Sequence, residues 1–554
     1  MSWKSKAWPI VLVLLTAAWW VTDLKRFYST GLSFDDAYMF WRYALHLREG
    51  LGWSWNLDGI PTYGQTSLLW GVVVWALTFL PLSMGHALMV GSWLTSGAAL
   101  VAMARAVSWN ARSLYLSRTW HVLPLVALPI VVSRVFLFNA SSGMDTMLGL
   151  LMNALLVGMV LAWSQGKVRG EWVGFVGGLC FVTRPESVLA AVAMPVLVWW
   201  LERNVSKKDL ARLLCVIGVM VVADLVFAKL YFHTLLPLGF YMKSMHAYEG
   251  YAARQHPVSS AMSFFSACGI FLIAMVVFAR RKDLRLLVIC TAPALLIFVY
   301  LFTVTQIMGF AARYYVPYFA FFAVPAILLL DRRLADRDAG ELLADPPGVP
   351  LMRYAAAGIV LYFVQMMYPL QWMTRVDKVF EGRKFIYDNA VCSILASRPL
   401  PEGDSLQALN DVAEMLVRPL PKGATVAATE VGYLGGVAPQ VNVIDLAGLN
   451  DSQIALNGFN SAAFLARKPD LIWMPHVQYT YERGLLFTDP SLLRDYVFID
   501  GAAFYGIAIR KDSPYRAQIE AEMQAYWDKQ YPGYAMSDYV VRSVSWDRQK
   551  HEVD

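Results

Sequence analysis

Long apolar runs fill the first two thirds of the chain, and after about residue 373 they give way to short runs broken by polar residues. The long runs lie near 7–21, 86–104, 120–138, 146–163, 172–183, 187–201, 212–232, 259–279, 285–304, 314–330 and 354–373. A helix needs about 20 apolar residues to cross a bilayer, so these runs predict about eleven spans. The stretch 67–82 is short and ends beside Pro81, and charge decides its status. If it crosses, the basic loops at Arg105/Arg112/Arg118, Lys167/Arg169, Arg203/Lys207/Lys208, Arg280/Arg281/Lys282/Arg285 and Arg332/Arg333/Arg337 all face outward. If it lies in the interface, all of them are cytoplasmic. Lys and Arg accumulate on the cytoplasmic side, so 67–82 reads as an interfacial or re-entrant helix. Segments 23–85, 139–145, 184–186, 233–258, 305–313 and everything after 373 are then extracytoplasmic. The first run resembles a signal peptide, but Trp19, Trp20 and Asp23 stand where small residues would mark cleavage. It reads as an uncleaved span with Lys4 and Lys6 inside.

Beyond 373 the runs 424–429, 441–445, 471–474 and 503–509 read as strands separated by Gly and Pro, and 405–417 and 514–530 read as helices. The chain therefore divides into a transmembrane domain, 1–373, and an extracytoplasmic α/β domain, 374–554.

Composition narrows the class. The chain is 57% hydrophobic and 16% charged, whereas soluble domains carry about 25% charged residues. That excludes a purely soluble or disordered protein. The net charge of +6 fits cytoplasmic Lys/Arg bias in a plasma-membrane protein, and no nucleic-acid partner is expected. The five cysteines form neither a disulfide framework nor a C-x-x-C pair. Neither a phosphate-binding G-x-x-x-x-G-K-[ST] loop nor H-E-x-x-H occurs. The glycines of Gly432-Tyr-Leu-Gly435-Gly436 read as a turn.

The candidate chemistry clusters on the external side. Asp35 and Asp36 are adjacent just after the first span. Such a pair can hold a cation, or split into a general base and an ionised partner. It can equally open a helix over 36–48 as a cap. Asp145, in Ser142-Gly143-Met144-Asp145, begins a later span and admits the same two readings. Arg184, between two short apolar segments, is costly unless paired and fits either a site or a structural pair with Glu186. Lys243 and Arg313 occupy external loops, where a cation can bind an anion or anchor the interface. Together these charges suit an anionic, phospholipid-like substrate. Trp41, Trp53, Trp55 and Tyr63 lie in the acidic first loop, where an aromatic ring can stack on a sugar or sit in the interfacial belt.

The order of these blocks resembles the GT-C class of membrane glycosyltransferases. Asp35-Asp36 is followed by Arg42-Tyr43-Ala44, Gly50-Leu-Gly52, Trp55-Asn56, Ser142-Gly143-Met144-Asp145, Thr183-Arg184-Pro185-Glu186 and Leu236-Pro237…Lys243. Glu430-Val-Gly432-Tyr433, Val443-Ile-Asp445 through Asn450-Asp451 and Lys468-Pro469-Asp470 extend the match into the C-terminal domain. The chain is most like the branch containing the terminal arabinofuranosyltransferase of mycobacterial cell walls. That resemblance implies a GT-C fold and an inverting transfer from a polyprenyl-phosphate-linked sugar to a glycan or protein acceptor outside the membrane. It implies Asp35 as catalytic base with Asp36 its partner, and Lys243, Arg313 and Arg184 around the donor phosphate. Asp145, Trp55, Tyr63 and Arg42 would touch substrate, and a divalent cation (Mg, Mn or Ca) could sit on Asp36 and Asp145. Two departures, Leu238-Gly239 and Tyr63-Gly-Gln-Thr66, bear on the sugar or acceptor pocket. Arabinofuranose is the implied sugar and mannose the alternative. A lipid-linked substrate transporter and a non-catalytic scaffold are the competing classes.

Overall fold

The computed structural model describes residues 10–18, 20–22, 34–131, 133–244, 257–304, 306, 309–338, 386–387, 394–395, 400–401 and 403–544. The expected span at 354–373 lies outside them, and of the first span 10–18 and 20–22 are helical. Helices dominate the remainder up to 338. Met84–Asn110, Thr146–Ser164, Pro185–Glu202, Lys207–Tyr231 and Arg281–Leu301 are five helices long and apolar enough to cross a membrane. Two expected spans are instead bent pairs: Thr119–Val131 with Val135–Ser141 at 94°, and Pro257–Ala267 with Gly269–Phe278 at 62°. Counting each pair once gives seven candidate spans among the described residues, fewer than the sequence suggests.

The shortfall has local causes. Gly170–Thr183 is only 14 residues long, because the chain turns at Arg184-Pro185. The run at 314–330 opens with short 3-10 turns, Phe310–Ala312 and Val316–Tyr318, before the helix Ala320–Asp338. Leu68–Leu77 has 10 residues and rises about 15 Å, half of a hydrocarbon core. That length suits an interfacial helix. Ser67 accepts the Trp70 N–H, and so caps it.

The C-terminal part is a small α/β domain. A two-residue pairing of β1 (Ile386–Tyr387) with β2 (Gly403–Asp404) precedes the main sheet. That sheet contains β3 (Thr425–Ala428), β4 (Asn442–Asp445), β5 (Leu471–Trp473), β6 (Tyr496–Ile499) and β7 (Ile507–Arg510), in the order β4-β3-β5-β7-β6. β3 runs parallel to β4 and β5, whereas β7 is antiparallel to β5 and β6. Strand β6 was not foreseen. Its Tyr-Val-Phe-Ile run follows a charged helix end, and it became legible only through its pairing with β7. The helix Arg516–Gln530 buries Ile519, Met523, Tyr526 and Trp527, spaced three or four apart, so one face packs inward.

The two parts are not separated at residue 373 in space. Met39, Tyr43 and Trp55, from the first external segment, belong to the core of the C-terminal domain. Phe34, Ala37, Tyr38 and Trp41 from the same helix belong to the core of the helical part. The helix Asp35–Arg48 thus lies between both cores, and this arrangement positions the site.

Candidate active site

Asp35 and Arg42 lie seven residues apart on the helix Asp35–Arg48, about two turns along one face. Against that face lies the six-residue helix Gly432–Val437. Its N-terminal N–H groups at Gly432 and Tyr433 donate to the two oxygens of Asp35, at 2.9 and 2.7 Å. At its other end Arg42 donates to the carbonyls of Gly435, Ala438 and Val441 at 2.9, 3.1 and 2.6 Å, and also to Trp55 O at 2.7 Å. A carboxylate meets the positive end of the helix and a guanidinium its negative end, and groups that have no partner inside the helix are satisfied. Asp35 therefore does not cap its own helix, whose N-cap position is Phe34; its carboxylate accepts the first N–H groups of a helix in the other domain.

This contact explains the glycines that read as a turn. They are helical, and they let two backbones approach. A Cβ on Gly432 would stand 2.0 Å from the Asp35 carbonyl oxygen, and one on Gly435 would meet Arg42 and Trp55 at 3.1 Å.

Several residues expected to touch substrate are committed to this interior. Arg42 is fully buried, four of its N–H groups are used, and burial lowers its pKa to about 9. Trp55 is buried under the Arg42 guanidinium and donates its indole N–H to Val443 O at 2.9 Å. Tyr63 is buried and stacks on Phe232 with ring centroids 4.6 Å apart. These are corrections: Arg42 and Trp55 build the junction between the two parts, and Tyr63 packs within the helical part.

Asp36 turns to the other side of the helix. Its Oδ2 accepts from Arg313 Nη2 at 2.9 Å. Arg313 also donates to the Tyr314 hydroxyl at 3.3 Å, and Lys243 Nζ donates to the same hydroxyl at 3.3 Å. Burial pushes the Tyr314 phenol up, but Lys243 and Arg313 outweigh it and hold the phenol below its usual value. Arg313 is 5% exposed, and its Nη1 is buried without a hydrogen-bond partner among the described residues. Its loop is strained. Ala311 and Ala312 take left-handed φ of 50° and 53°, a conformation costing L residues about 1–2 kcal/mol each. Asn139 holds this bend by donating to Ala311 O at 2.8 Å.

Asp145 and Arg184 form a second group. Arg184 Nη2 donates to Asp145 Oδ1 at 3.2 Å, Nε lies 3.2 Å from Oδ2, and Nη1 donates to Glu186 at 3.3 Å. Two acids thus neutralise one buried cation. Asp145 holds the N-cap position of Thr146–Ser164 without capping it, because its carboxylate goes to Arg184. Asp36 and Asp145 each have their own arginine, so they do not share a cation as expected. Among the described residues no group of three His, Cys, Asp or Glu side chains could hold a metal.

Glu430 was not singled out as a site residue. It stands two residues beyond β3 and two before Gly432, whose N–H binds Asp35. Asp445 ends the neighbouring parallel strand β4. Ligand sites of open α/β sheets gather at such carboxyl strand ends, a signal present in the strand pattern. Asp445 is fully used. It accepts from Ala447 N, Asn450 N and Asn450 Nδ2 at 2.8–2.9 Å, and burial pushes it up to about 7. Glu430 is half-buried and has no hydrogen-bond partner among the described residues. Burial, then Asp35, Asp36 and Asp445, push it up to about 8. Asp35 is pushed up to about 6 by burial, aided by the Asp36 charge and opposed by the Tyr433 and Gly432 N–H groups.

A cavity of about 500 Å³ opens between the two parts, lined by Tyr38, Trp41, His86, Glu414, Arg418 and Tyr433 and not by Asp35, Asp36, Glu430 or Asp445. Tyr433 borders both places: its side chain faces the cavity and its N–H binds Asp35. No curated protein matches the chain. A family model described as Domain of unknown function (DUF8728) matches residues 399–537, the C-terminal domain that carries Glu430, Tyr433 and Asp445.

Proposed function

We propose that the protein is an inverting GT-C glycosyltransferase that moves a sugar from a polyprenyl phosphate to a hydroxyl of an extracytoplasmic glycan or protein. The observation that carries this reading is the convergence of Asp36, Arg313, Tyr314 and Lys243 beside Asp35, with Arg313 Nη1 buried and unpartnered among the described residues. A buried donor without a partner costs about 1–3 kcal/mol, and an anionic substrate would remove that cost.

In this mechanism the Asp35 carboxylate takes the acceptor proton as the hydroxyl oxygen attacks the anomeric carbon. The carbon–oxygen bond to phosphate breaks on the opposite face, and the configuration inverts. The departing phosphate gains charge, which Arg313 and Lys243 stabilise from fixed positions. Asp36 keeps Arg313 aimed. The apolar helices suit the polyprenyl tail, and the cavity beside Tyr433 suits the acceptor. The plasma membrane and an outward-facing C-terminal domain belong to the same reading. Arabinofuranose is the sugar the resemblance implies.

The test is transfer in detergent or nanodiscs from radiolabelled polyprenyl-phosphoarabinose, and separately polyprenyl-phosphomannose, to an extract of the host envelope. Label should reach acceptor with the wild type and not with Asp35→Ala. Transfer undiminished in that variant removes Asp35 as the base. No transfer from either donor, together with donor flux across proteoliposomes, would replace the enzyme with a transporter.

A further inference from the structure

We infer that Glu430, supplied by the C-terminal domain, is a catalytic residue of the same site: it forms a carboxyl pair with Asp35, and the acceptor hydroxyl gives its proton to that pair. The inference rests on the glycosyltransferase reading above.

Three observations lead to it. Both oxygens of Asp35 already accept backbone N–H groups, so Asp35 is held rigidly and is only partly free to act alone. Those same N–H groups, on Gly432 and Tyr433, fix the backbone that carries Glu430, two residues upstream. And Glu430 has neither a hydrogen bond nor a cation to balance it among the described residues, although the charges of Asp35, Asp36 and Asp445 all act on it. A carboxyl so placed serves no evident structural bond. Its neighbours also explain why it stays without a cation: Arg313 is drawn to Asp36, and Arg42 to the carbonyls of Gly435, Ala438 and Val441.

Such a pair titrates as a unit. The groups around it are Asp36 and Tyr38 on the helix of Asp35, Tyr433 and Asp445 from the C-terminal domain, and Arg313 beyond Asp36. Like charges at close quarters cannot both ionise easily, so the pair keeps one proton, beside one negative charge, to higher pH than an isolated carboxyl would. It can take one more proton. In the transfer step the acceptor oxygen bonds to the anomeric carbon, its proton passes to the pair, and the phosphate leaves with the electrons of the broken bond. Release of that proton to water restores the pair. Because Glu430 comes from the domain matched by the family model, that domain would complete the catalytic centre, beyond binding the acceptor.

The experiment uses the full chain in detergent, comparing wild type with Glu430→Gln, Asp35→Asn and the double variant. Heat unfolding from pH 5 to 9 comes first and needs no substrate. Glu430→Gln removes an ionisation that costs the folded state, so its melting temperature should rise relative to wild type as pH increases from 5 to 9. A difference that stays constant with pH would overturn the pair. Transfer from the two radiolabelled donors comes second. Glu430→Gln should lower kcat about 100-fold or more, leave the donor KM near wild type, and move the acid limb of kcat/KM to lower pH. Wild-type kcat with an unmoved acid limb would overturn the catalytic role. If the wild type itself transfers neither sugar, the glycosyltransferase reading fails, while unfolding of the double variant still decides the pair: a Glu430→Gln effect that Asp35→Asn leaves unchanged means that the two carboxyls are independent.

Discussion

Arg184 and Arg313 look alike in the sequence, each a cation near a break between apolar runs, yet the fold treats them oppositely. Arg184 meets two acids, Asp145 and Glu186, and all of its nitrogens lie near a carboxylate. Arg313 meets one acid and a phenol, and its Nη1, like Arg184 Nε, has no hydrogen-bond partner among the described residues. The first cation is neutralised by two acids. The second retains capacity for an anion, and a second cation, Lys243, reaches the same phenol. Sequence proximity to an acid does not reveal this difference. The count of acids per buried cation does.

The largest expected effect falls on the closed pair. Arg184→Ala leaves Asp145 and Glu186 buried without a cation, which should cost about 3–5 kcal/mol. Loss of folded yield in size-exclusion profiles would register it. If instead the variant folds normally but cannot bind donor, the contrast between the two arginines breaks. Arg313→Ala strands one acid, Asp36, instead of two, so it should lower the melting temperature less than Arg184→Ala while transfer drops about 100-fold, close to 2.7 kcal/mol of lost transition-state stabilisation. Arg313→Lys, which keeps the charge and loses the fork, should recover only part of that loss.

A third variant acts on the junction that holds Asp35. Gly432→Ala inserts a methyl group where the Asp35 carbonyl already stands. Overpacking of that kind costs about 1–3 kcal/mol. Protease nicking of the C-terminal domain, measured over time, should accelerate.

Protonation gives a smaller, graded effect. Asp35 is pushed up to about 6 by burial, so a reaction needing its carboxylate should lose about tenfold in rate per pH unit below that value. The stability consequence has the opposite sense. Its raised value means that ionisation costs the folded state, a penalty absent below the unfolded value near 4 and complete above about 6. The contribution of this group therefore rises as pH falls through that window. An Asp35→Asn melting series over pH 4–7 isolates it. The smallest change expected is from Ala311→Gly, which relieves one left-handed residue in the loop of Arg313. It should raise or hold the melting temperature within about 1 kcal/mol, and any fall in transfer would then reflect a looser Arg313.

Much of the architecture was legible beforehand, because apolar length and strand-sized runs are local properties. Met84–Asn110, Thr146–Ser164 and Lys207–Tyr231 fall where hydropathy put them, and β3, β4 and β5 begin within a residue or two of their apolar runs. The bends at 94° and 62° were not legible, since hydropathy is unchanged across a break in the backbone. Nor were the roles of Arg42, Trp55 and Tyr63. Their types fit a sugar site as well as they fit a packed interior, and only their partners distinguish the two.

The sequence by itself determined that this is an apolar, mainly helical chain of membrane type with a short-stranded C-terminal domain, because burial in lipid or in a sheet demands a particular spacing of apolar residues. It also brought forward Asp35, Asp36, Lys243 and Arg313 as charges that needed a reason. Only the tertiary structure decided which charges neutralise one another, that Asp35 and Arg42 clamp both ends of Gly432–Val437, and that Glu430 arrives beside Asp35 from almost four hundred residues away. Electrostatic roles depend on distances between side chains, and those distances are set by packing between elements that the order of residues does not record.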